Sequence, residues 1–466
     1  MQYDNVGRPA HQRVRHNGRT LLDKSYLWSD NLRLLQTLDT INGRSVRYDY
    51  DTFGSLSGAV YGDGSRQWRN PDAMGNVYDS PDRTDRSYGR GGQLREDKKW
   101  RYYYDSQGNL VLKTMRRMEP SRDAEAQDAF LQWQSGDYAY TWQGNGMLRS
   151  VTRPDGKTVT FRYDALGRRI EKVFDGRVYR YLWDGDVILH EWDYTEADRP
   201  NTIVTETGEV TLDRPEPVEN LITWVYDSDN YVPTAKIVGD RHYSIISDYI
   251  GRPVQVYDDK GNVVWQADYD IYGNLRNLHG SRQFIPFRQL GQYEDDETGL
   301  YYNRFRYYDP RIGNYISQDP IRLAGGNNPT LYGYVGDCNK WFDLFGLDYF
   351  YQLIRHDKVV YNGITKNPVK DRIADHIGVK DFTEFRYVQV KDRIASRNLE
   401  GSALHHADGK GLQNAHRKDG QYYHSYDPDN LAEGRTYYTQ AEIDEIMKKA
   451  ETGEIKDGKV ILHNCK

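Results

Sequence analysis

The chain has almost no cysteine, no long apolar run and little net charge. Its two cysteines, Cys338 and Cys465, give neither a disulfide framework nor a zinc-ligand spacing. No stretch approaches the roughly 20 apolar residues that a membrane-spanning helix needs. The opening residues, MQYDNVGRPAHQRV, lack the apolar core of a signal peptide, so export would have to use a route without a cleaved leader. A net charge of -6 leaves no global basic field to draw in nucleic acid. From Asp348 onward, 19 Lys+Arg meet 19 Asp+Glu, so that part is neutral and the acidity belongs to the first 347 residues. Neutrality there still permits a locally basic site.

Hydrophobic residues make up only 37% of the chain, too few for one thick core. What it has instead is 40 Tyr, 10 Trp and 42 Gly. Disordered chains are poor in aromatics. Aromatics and glycines at regular intervals predict thin β-sheets that turn often, with amphipathic rings packing their faces. The length of 466 residues allows two to three domains.

Residues 1–285 are built of degenerate repeats: YDNVGR at Tyr3, YDTFGS at Tyr50, YYDSQGNL at Tyr103, YDALGRRI at Tyr163, YDDKGNVV at Tyr257 and YDIYGNLR at Tyr269. Each is an aromatic, Asp, two variable residues, Gly, a polar residue and an apolar strand. This is hairpin chemistry. Asp accepts hydrogen bonds from amides just ahead of it, and Gly supplies a positive φ. The segments between alternate with period two, as in KTVTFRY (157–163) and RVYRYLW (177–183). A single hairpin cannot bury its own face, so stacked hairpins must share a core. The expected result is a long β ribbon coiled into a shell, although repeat spacing alone equally describes a propeller or open solenoid. Residues 119–130 read as an exposed helix or loop, and 197–220 as a polar, proline-dotted insertion. The repeats read as structural, with carbohydrate binding by exposed aromatics the lesser alternative.

The stretch Gly291–Leu347, from GQYEDDETGLYYNRFRYYDPRIGNYISQDPI to NKWFDLFGL, separates this pattern from a tail of different texture. Together with IPFRQLGQYEDD and LITWVYDSDNYVPTAKIVGDRHY, it resembles the core-ending part of Rhs/YD-repeat polymorphic toxins. The resemblance implies a spiral β cage, a self-cutting segment at 286–347 and a released toxin domain at 348–466. In that family two Asp motifs, DPxGxxGG and DPxGL, precede the cut. Transferred here they place Asp319 and Asp343, 24 positions apart, as the dyad and Leu347–Asp348 as the scissile bond. Two close carboxylates cannot both ionise, so one can draw a proton from water while the other polarises the carbonyl. Arg322 stands where the first motif has Gly and Leu344 where the second has Pro. On residue type alone, both Asp residues also read as turn formers. The opening in mid-repeat reads as the C-terminal piece of a larger protein or a truncated copy.

After Asp348 the pattern predicts a small α+β domain: strands YFYQLI (349–354) and KVVYNGIT (358–365), a helix VKDRIADHI opened by Pro368, a strand FRYVQV (385–390) and a helix over 392–404. This order resembles the GIY-YIG nucleases. Tyr351 matches the first tyrosine and Tyr361 with Gly363 the second motif. Arg372 and His376 share a helix face at i and i+4, Glu400 follows in RNLEGSAL, and Asn414 in GLQNA. The first motif is FYQ rather than GIY, and Asn362 replaces Ile. The implied chemistry is phosphodiester hydrolysis. Glu400 would hold one Mg²⁺ or another divalent ion, Arg372 would fork onto phosphate, and the general base would be Tyr361, Tyr351 or His376. Individually, the tyrosines also read as packing residues and Arg372 with Glu400 as a surface pair. Seven histidines lie in this part, including His405, His406, His416 and His424, and leave a His-Asn-His nuclease as a second reading. TQAEIDEIMKKA (439–450) reads as a structural helix with a Thr cap.

The combined expectation is a mainly β shell followed by an α+β nuclease. By family resemblance, it would be an interbacterial effector made in the cytoplasm, delivered to a target cell, often by a type VI machine, and blocked by a cognate immunity protein. DNA is the favoured substrate. The competing readings are a non-enzymatic YD-repeat binding module, an RNase or a nucleotide-modifying toxin.

Overall fold

The computed structural model describes residues 1–118, 124–227, 231–319 and 330–340. In the C-terminal part it describes 349–356, 358–365, 369–374, 376–377, 380–389, 399–400, 402–404, 406, 437–448, 450–456 and 459–463. The chain divides into two compact units, residues 1–317 with 332–342, and residues 318–331 with 343–466.

The first unit is a β ribbon made by repetition of one turn. At Asp105 the amides of Gln107 and Asn109 donate to Oδ1 at 2.9 and 2.8 Å, and Asn109 Nδ2 donates to Oδ2 at 3.1 Å. The Gly108 amide donates to the Asp105 carbonyl at 3.0 Å, with φ at 83°. Asp258 and Asp270 close their turns the same way with Asn262 and Asn274. Where the last position is Arg, its Nε takes the second carboxylate oxygen, as in Arg168 to Asp164 at 2.6 Å and Arg252 to Asp248 at 2.8 Å. One carboxylate thus satisfies several backbone donors that a tight turn would otherwise strand.

The aromatic before several of these turns has a second task. Tyr163 donates its hydroxyl to the Leu148 carbonyl at 2.8 Å, Tyr269 to Pro253 at 2.7 Å and Tyr50 to Leu34 at 3.0 Å. Trp142 and Trp183 do this through the indole N–H, to Leu110 and Arg169, both at 2.8 Å. Each acceptor starts the strand just after the preceding turn on the same edge. The ring therefore ties one repeat to the one before it while packing between them.

Among the described residues the named strands pair antiparallel throughout. Strands of Gln2–Trp68 form a seven-stranded meander, and those from Ser87 to His279 a 16-stranded one in chain order. The insertion at 197–220 forms its own exposed hairpin, Thr202–Val204 with Val210–Leu212, and the 119–130 segment includes the helix Ala124–Leu131. The ends of the two meanders meet through side chains. Arg44 pairs with Asp268 and Arg276 with Asp63, both at 2.9 Å. Gln67 Nε2 donates to Asp270 at 3.0 Å, and Tyr272 donates to the Trp68 carbonyl at 2.7 Å. These partners lie 203 to 224 residues apart in sequence.

A four-stranded sheet, Tyr293–Asp295, Leu300–Asn303, Arg306–Asp309 and Asn314–Tyr315, is buried at every position. Its rings join the core of the long meander, with Leu300, Tyr302 and Tyr307 beside Val151, Phe161 and Trp265. Its hydroxyls pick up the turns: Tyr301 donates to the Gly273 carbonyl at 3.0 Å, Tyr302 to Gly167 at 3.2 Å and Tyr308 to Tyr272 at 2.8 Å. From the following segment Tyr332 donates to Gly108 at 2.7 Å. Buried ion pairs cross the same interface, among them Arg169 with Asp295 at 2.5 Å and Lys113 with Asp309 at 3.2 Å.

In the second unit, strands β1 (Tyr349–Arg355) and β2 (Lys358–Thr365) form a hairpin, followed by helix α1 (Val369–Ala374) and β3 (Glu384–Gln389). After helix α2 (Gln440–Met447) comes a hairpin that the sequence pattern did not announce, β4 (Glu451–Lys456) and β5 (Lys459–His463). The sheet order is β2-β1-β3-β4-β5, all antiparallel. Thr439 caps α2 reciprocally. Its Oγ1 accepts from the Glu442 amide at 3.3 Å and Glu442 Oε2 accepts from the Thr439 amide at 2.8 Å.

The turn glycines separate two costs. Gly176 and Gly167 both hold φ near 75°, but an added Cβ meets nothing at Gly176 and falls 2.4 Å from Phe305 at Gly167. Gly176→Ala is expected to cost about 1 kcal/mol from the strained φ. Gly167→Ala adds overpacking and is expected to cost about 2–4 kcal/mol. Urea unfolding followed by tryptophan fluorescence reads this unit, since all ten Trp precede residue 348. Equal losses would contradict the packing role.

Candidate active site

The hairpin register sets the site. Leu353 stands opposite Tyr361, and Tyr351 opposite Gly363. Alternation then puts Tyr351, Leu353 and Tyr361 on one face of the sheet. The two tyrosine rings stack with centroids 6.0 Å apart and 27° between planes. Helix α1 covers this face with Val369 and Ile373. His376 follows in the turn after it, its amide donating to the Ile373 carbonyl at 3.0 Å. That turn brings the imidazole 4.9 Å from the Tyr361 ring, with Nε2 at 2.7 Å from the Tyr351 hydroxyl.

The electrostatics follow from burial. Tyr351 is fully buried and His376 is 6% exposed. Burial, with the Arg372 and Lys380 cations adding to it, lowers the His376 pKa to about 4. The imidazole is therefore neutral near pH 7, and its Nε2 shares a hydrogen bond with the Tyr351 hydroxyl. Burial, with the Tyr361 ring beside it, pushes the Tyr351 phenol well above its ordinary range, against the pull of Arg372. Tyr351 thus stays protonated. Lys380, which the sequence pattern did not single out, places Nζ 5.0 Å from the Tyr361 ring centroid. Its position four residues after His376 was the available signal.

The other sheet face accounts for one departure from the motif. Asn362 is buried and accepts at Oδ1 from Gln352 Nε2 at 2.7 Å, while Gln352 Oε1 accepts from Arg386 Nε at 2.7 Å. An Ile at 362 would leave Gln352 with an unpaired amide in the sheet.

The structure thus brings Tyr351, Tyr361, Arg372 and His376 together. Glu400 is half-buried on a helical stretch within 399–406. Leu399 and Ala403 of that stretch pack with Ile443 and Met447 beside Val388. Val388 alternates with Phe385 and Tyr387, which face the tyrosine cluster, so this stretch packs on the opposite face of β3. Asn414, Asp343, Leu347 and Asp348 lie outside the described residues. Asp319 is described and buried, 2% exposed, its amide donating to the Leu331 carbonyl at 2.6 Å. Among the described residues no group of three or more His, Cys, Asp or Glu is placed to hold a metal.

The depressed His376 pKa carries a stability consequence. The unfolded chain, with a His pKa near 6.5, binds a proton that the folded site refuses down to about pH 4. Stability contributed by this site is complete above pH 6.5 and is lost as pH falls toward 4, by about 3 kcal/mol at most. Protection of the β1 amides, corrected for the intrinsic pH dependence of exchange, should therefore fall over that window in the native chain and not in His376→Gln. A flat profile in both would refute the buried neutral imidazole.

Comparison with known proteins covers mainly the ribbon. The family model described as Teneurin YD-shell matches residues 1–330. The chain is 32% identical over 399 residues to Double-stranded DNA deaminase toxin A of Burkholderia cenocepacia (strain H111), covering 78% of this chain and 26% of that protein. It is 33% identical over 264 residues to Probable deoxyribonuclease RhsA of Dickeya dadantii (strain 3937), covering 55% of this chain and 16% of that one. It is 32% identical over 380 residues to Toxin protein Tse5 of Pseudomonas aeruginosa (strain PAO1), covering 71% and 27%. The chain spans about a quarter of the length of the first and third of these relatives and less of the second. Their names differ in activity. With residues 1–330 of 466 matched and the repeat turns built as its sequence predicts, the chain belongs to the teneurin YD-shell family, in the Rhs/YD-repeat form that its core-ending segment resembles.

Proposed function

We propose that the chain is an interbacterial Rhs effector whose residues 348–466 form a GIY-YIG-type nuclease, with 1–285 as the shell and 286–347 as a self-cutting segment. The observation that carries this is the buried Tyr351–His376 hydrogen bond beside Tyr361, flanked by Arg372 and Lys380. Two cations next to two phenols and a neutral imidazole suit a phosphodiester, whose charge grows as the phosphorus gains a fifth bond. Arg372 and Lys380 hold the phosphate. Tyr351, kept protonated by burial and pinned by His376, orients the site. Tyr361, the less buried phenol, takes the proton of the attacking water. DNA is the favoured substrate, in line with the deoxyribonuclease and DNA deaminase among the relatives.

The resemblance assigns a divalent ion to one carboxylate, Glu400, with water filling its other positions. The stretch that bears Glu400 packs on the face of β3 away from the tyrosine cluster, so the described residues of the cluster do not themselves fit that ion. The effector reading also implies a cognate immunity protein, and delivery to target cells by a secretion machine such as type VI. Among the described residues no helix is long and apolar enough to cross a membrane.

Supercoiled plasmid incubated with the purified chain, and with residues 348–466 freed from any inhibitor, tests the nuclease. Nicking is expected with Mg²⁺ and not with EDTA. It should fall about 10²-fold or more in Arg372→Ala, and an equal fall in Glu400→Ala would assign the metal to that carboxylate. Plasmid that stays intact while RNA or free nucleotides are altered would move the assignment to an RNase or a nucleotide-modifying enzyme. If toxicity persists in both variants, the domain is a non-enzymatic module.

For the self-cutting segment, the burial of Asp319 supports a carboxylate dyad with Asp343, since a shared proton needs exclusion from water. Mass spectrometry of the purified chain should then find products ending at Leu347 and starting at Asp348, and only full-length chain in Asp319→Asn. Cleavage that persists unchanged in the variant would remove Asp319 from the mechanism.

A further inference from the structure

The insertion at 197–220 is fastened at its base and bare above it. Arg199 reaches the buried Glu171 at 3.2 Å. Glu216 pairs with Arg180 at 3.0 Å and accepts from the Tyr194 hydroxyl at 2.6 Å. Asp213 takes the Asn201 amide and side chain at 2.9 and 2.8 Å. Above this base, all six residues of the hairpin strands, Thr202–Val204 and Val210–Leu212, are exposed. No other strand pairs with them among the described residues. A two-stranded hairpin with neither face packed is marginal in water, so the base holds out an element that adds nothing to the ribbon's own core.

The register shows which backbone groups this hairpin leaves outward. Ile203 stands opposite Thr211, and Val204 opposite Val210. The Thr205 amide donates to the Glu209 carbonyl at 2.8 Å and the Asp213 amide to the Asn201 carbonyl at 2.9 Å. In an antiparallel pair only alternate residues turn their backbone groups inward. Those of Val204 on one edge, and of Val210 and Leu212 on the other, therefore point away from the hairpin. The same three side chains share one face and are 68, 67 and 45% exposed. Edge strands are commonly guarded by Lys, Pro or a bulge. Neither strand here carries any of these.

Charge states what the edge would take. Residues 197–220 hold six carboxylates and two arginines, so -4 of the chain's net -6 lies in this insertion. Both arginines serve the base, Arg199 on Glu171 and Arg214 on the Arg199 carbonyl at 3.1 Å. Glu209 and Asp213 flank Val210–Leu212 and are exposed. Alternation puts them with Thr211 on the face opposite Val210 and Leu212. One edge thus reads acidic on one face and apolar on the other.

We propose that the Val210–Leu212 edge accepts an extended segment of a partner protein as a third strand, one that alternates basic with apolar residues, whatever residues 348–466 do. Main-chain bonds to the outward groups of Val210 and Leu212 would supply the pairing. The partner's apolar side chains would cover Val210 and Leu212, while its Lys or Arg residues would meet Glu209 and Asp213 on the other face. A second copy of this hairpin would set the same carboxylates beside each other, and like charges across a strand pair repel. The charge therefore keeps free copies apart and selects a basic partner.

Fluorescence anisotropy of labelled heptapeptides titrated with the full chain tests this. The peptide KVKVKVK is expected to saturate, with EVEVEVE and KSKSKSK weaker by about tenfold or more, since each lacks one half of the match. Leu212→Pro removes an outward amide that the hairpin does not use. It should weaken KVKVKVK by about tenfold or more at an unchanged thermal midpoint. Val204→Pro, on the other edge, should weaken it by no more than about threefold. Val210→Ser keeps every backbone bond and should weaken it by about threefold or more, so it decides if Leu212→Pro opens the hairpin. No saturation by KVKVKVK, or binding unchanged in both Leu212→Pro and Val210→Ser, overturns the site. KSKSKSK binding as tightly as KVKVKVK overturns the strand assignment by making the insertion a general acidic surface. A dimer in sedimentation that Leu212→Pro dissolves makes a second copy the occupant and overturns the basic partner.

Discussion

Everything in the first unit depends on what one aspartate carboxylate does at the start of each turn. At Asp105 its two oxygens accept two backbone amides and one side chain, so Gln107 and Asn109 are both fixed by a single group. In several repeats that local closure positions the preceding aromatic, whose hydroxyl or indole N–H then reaches the carbonyl that begins the neighbouring repeat. A chain with so few aliphatic residues cannot rely on a thick core. It substitutes a long series of small units, each worth little alone and each coupled to the next, as in other repeat architectures. Tyrosine suits this use because it buries a large ring and still delivers a hydrogen bond at its end.

The same carboxylate chemistry explains how much could be read from the sequence. Asp, Gly and the following Asn or Arg lie within five residues, so the turn is written locally and the ribbon follows from it. The Thr439 cap is legible for the same reason. Closure of the ribbon is not, because Arg44 and Asp268 meet across 224 residues and neither belongs to a motif. The hairpin of β4 and β5 escaped because ETGEIK and KVILH are short and largely charged or unpatterned.

At the candidate site the sequence order identified side chains but not their pairing. Tyr351 and His376 are matched motif positions, yet the bond between them depends on the turn after α1, where residues 376 and 351 meet over 25 positions. The Asn at 362 read as a mere departure. It is the partner of Gln352, itself a departure, and the two form one buried polar pair on the face away from the tyrosines. Alternation along β3 likewise sets the Glu400-bearing stretch on a different face from the tyrosine cluster, something residue spacing does not convey.

Tyrosines of the buried four-stranded sheet and of the segment after it act as a ruler. Tyr332, Tyr302 and Tyr301 hold the turn glycines Gly108, Gly167 and Gly273, which are spread along most of the long meander. Adding or deleting a repeat between any two of these turns would carry one glycine away from its hydroxyl, so the ribbon's length is inherited as a fixed quantity across this stretch. Growth is tolerated only where it stays off the measured edge. The exposed hairpin at Thr202–Leu212 is such an addition, looped out between two strands that remain paired with each other.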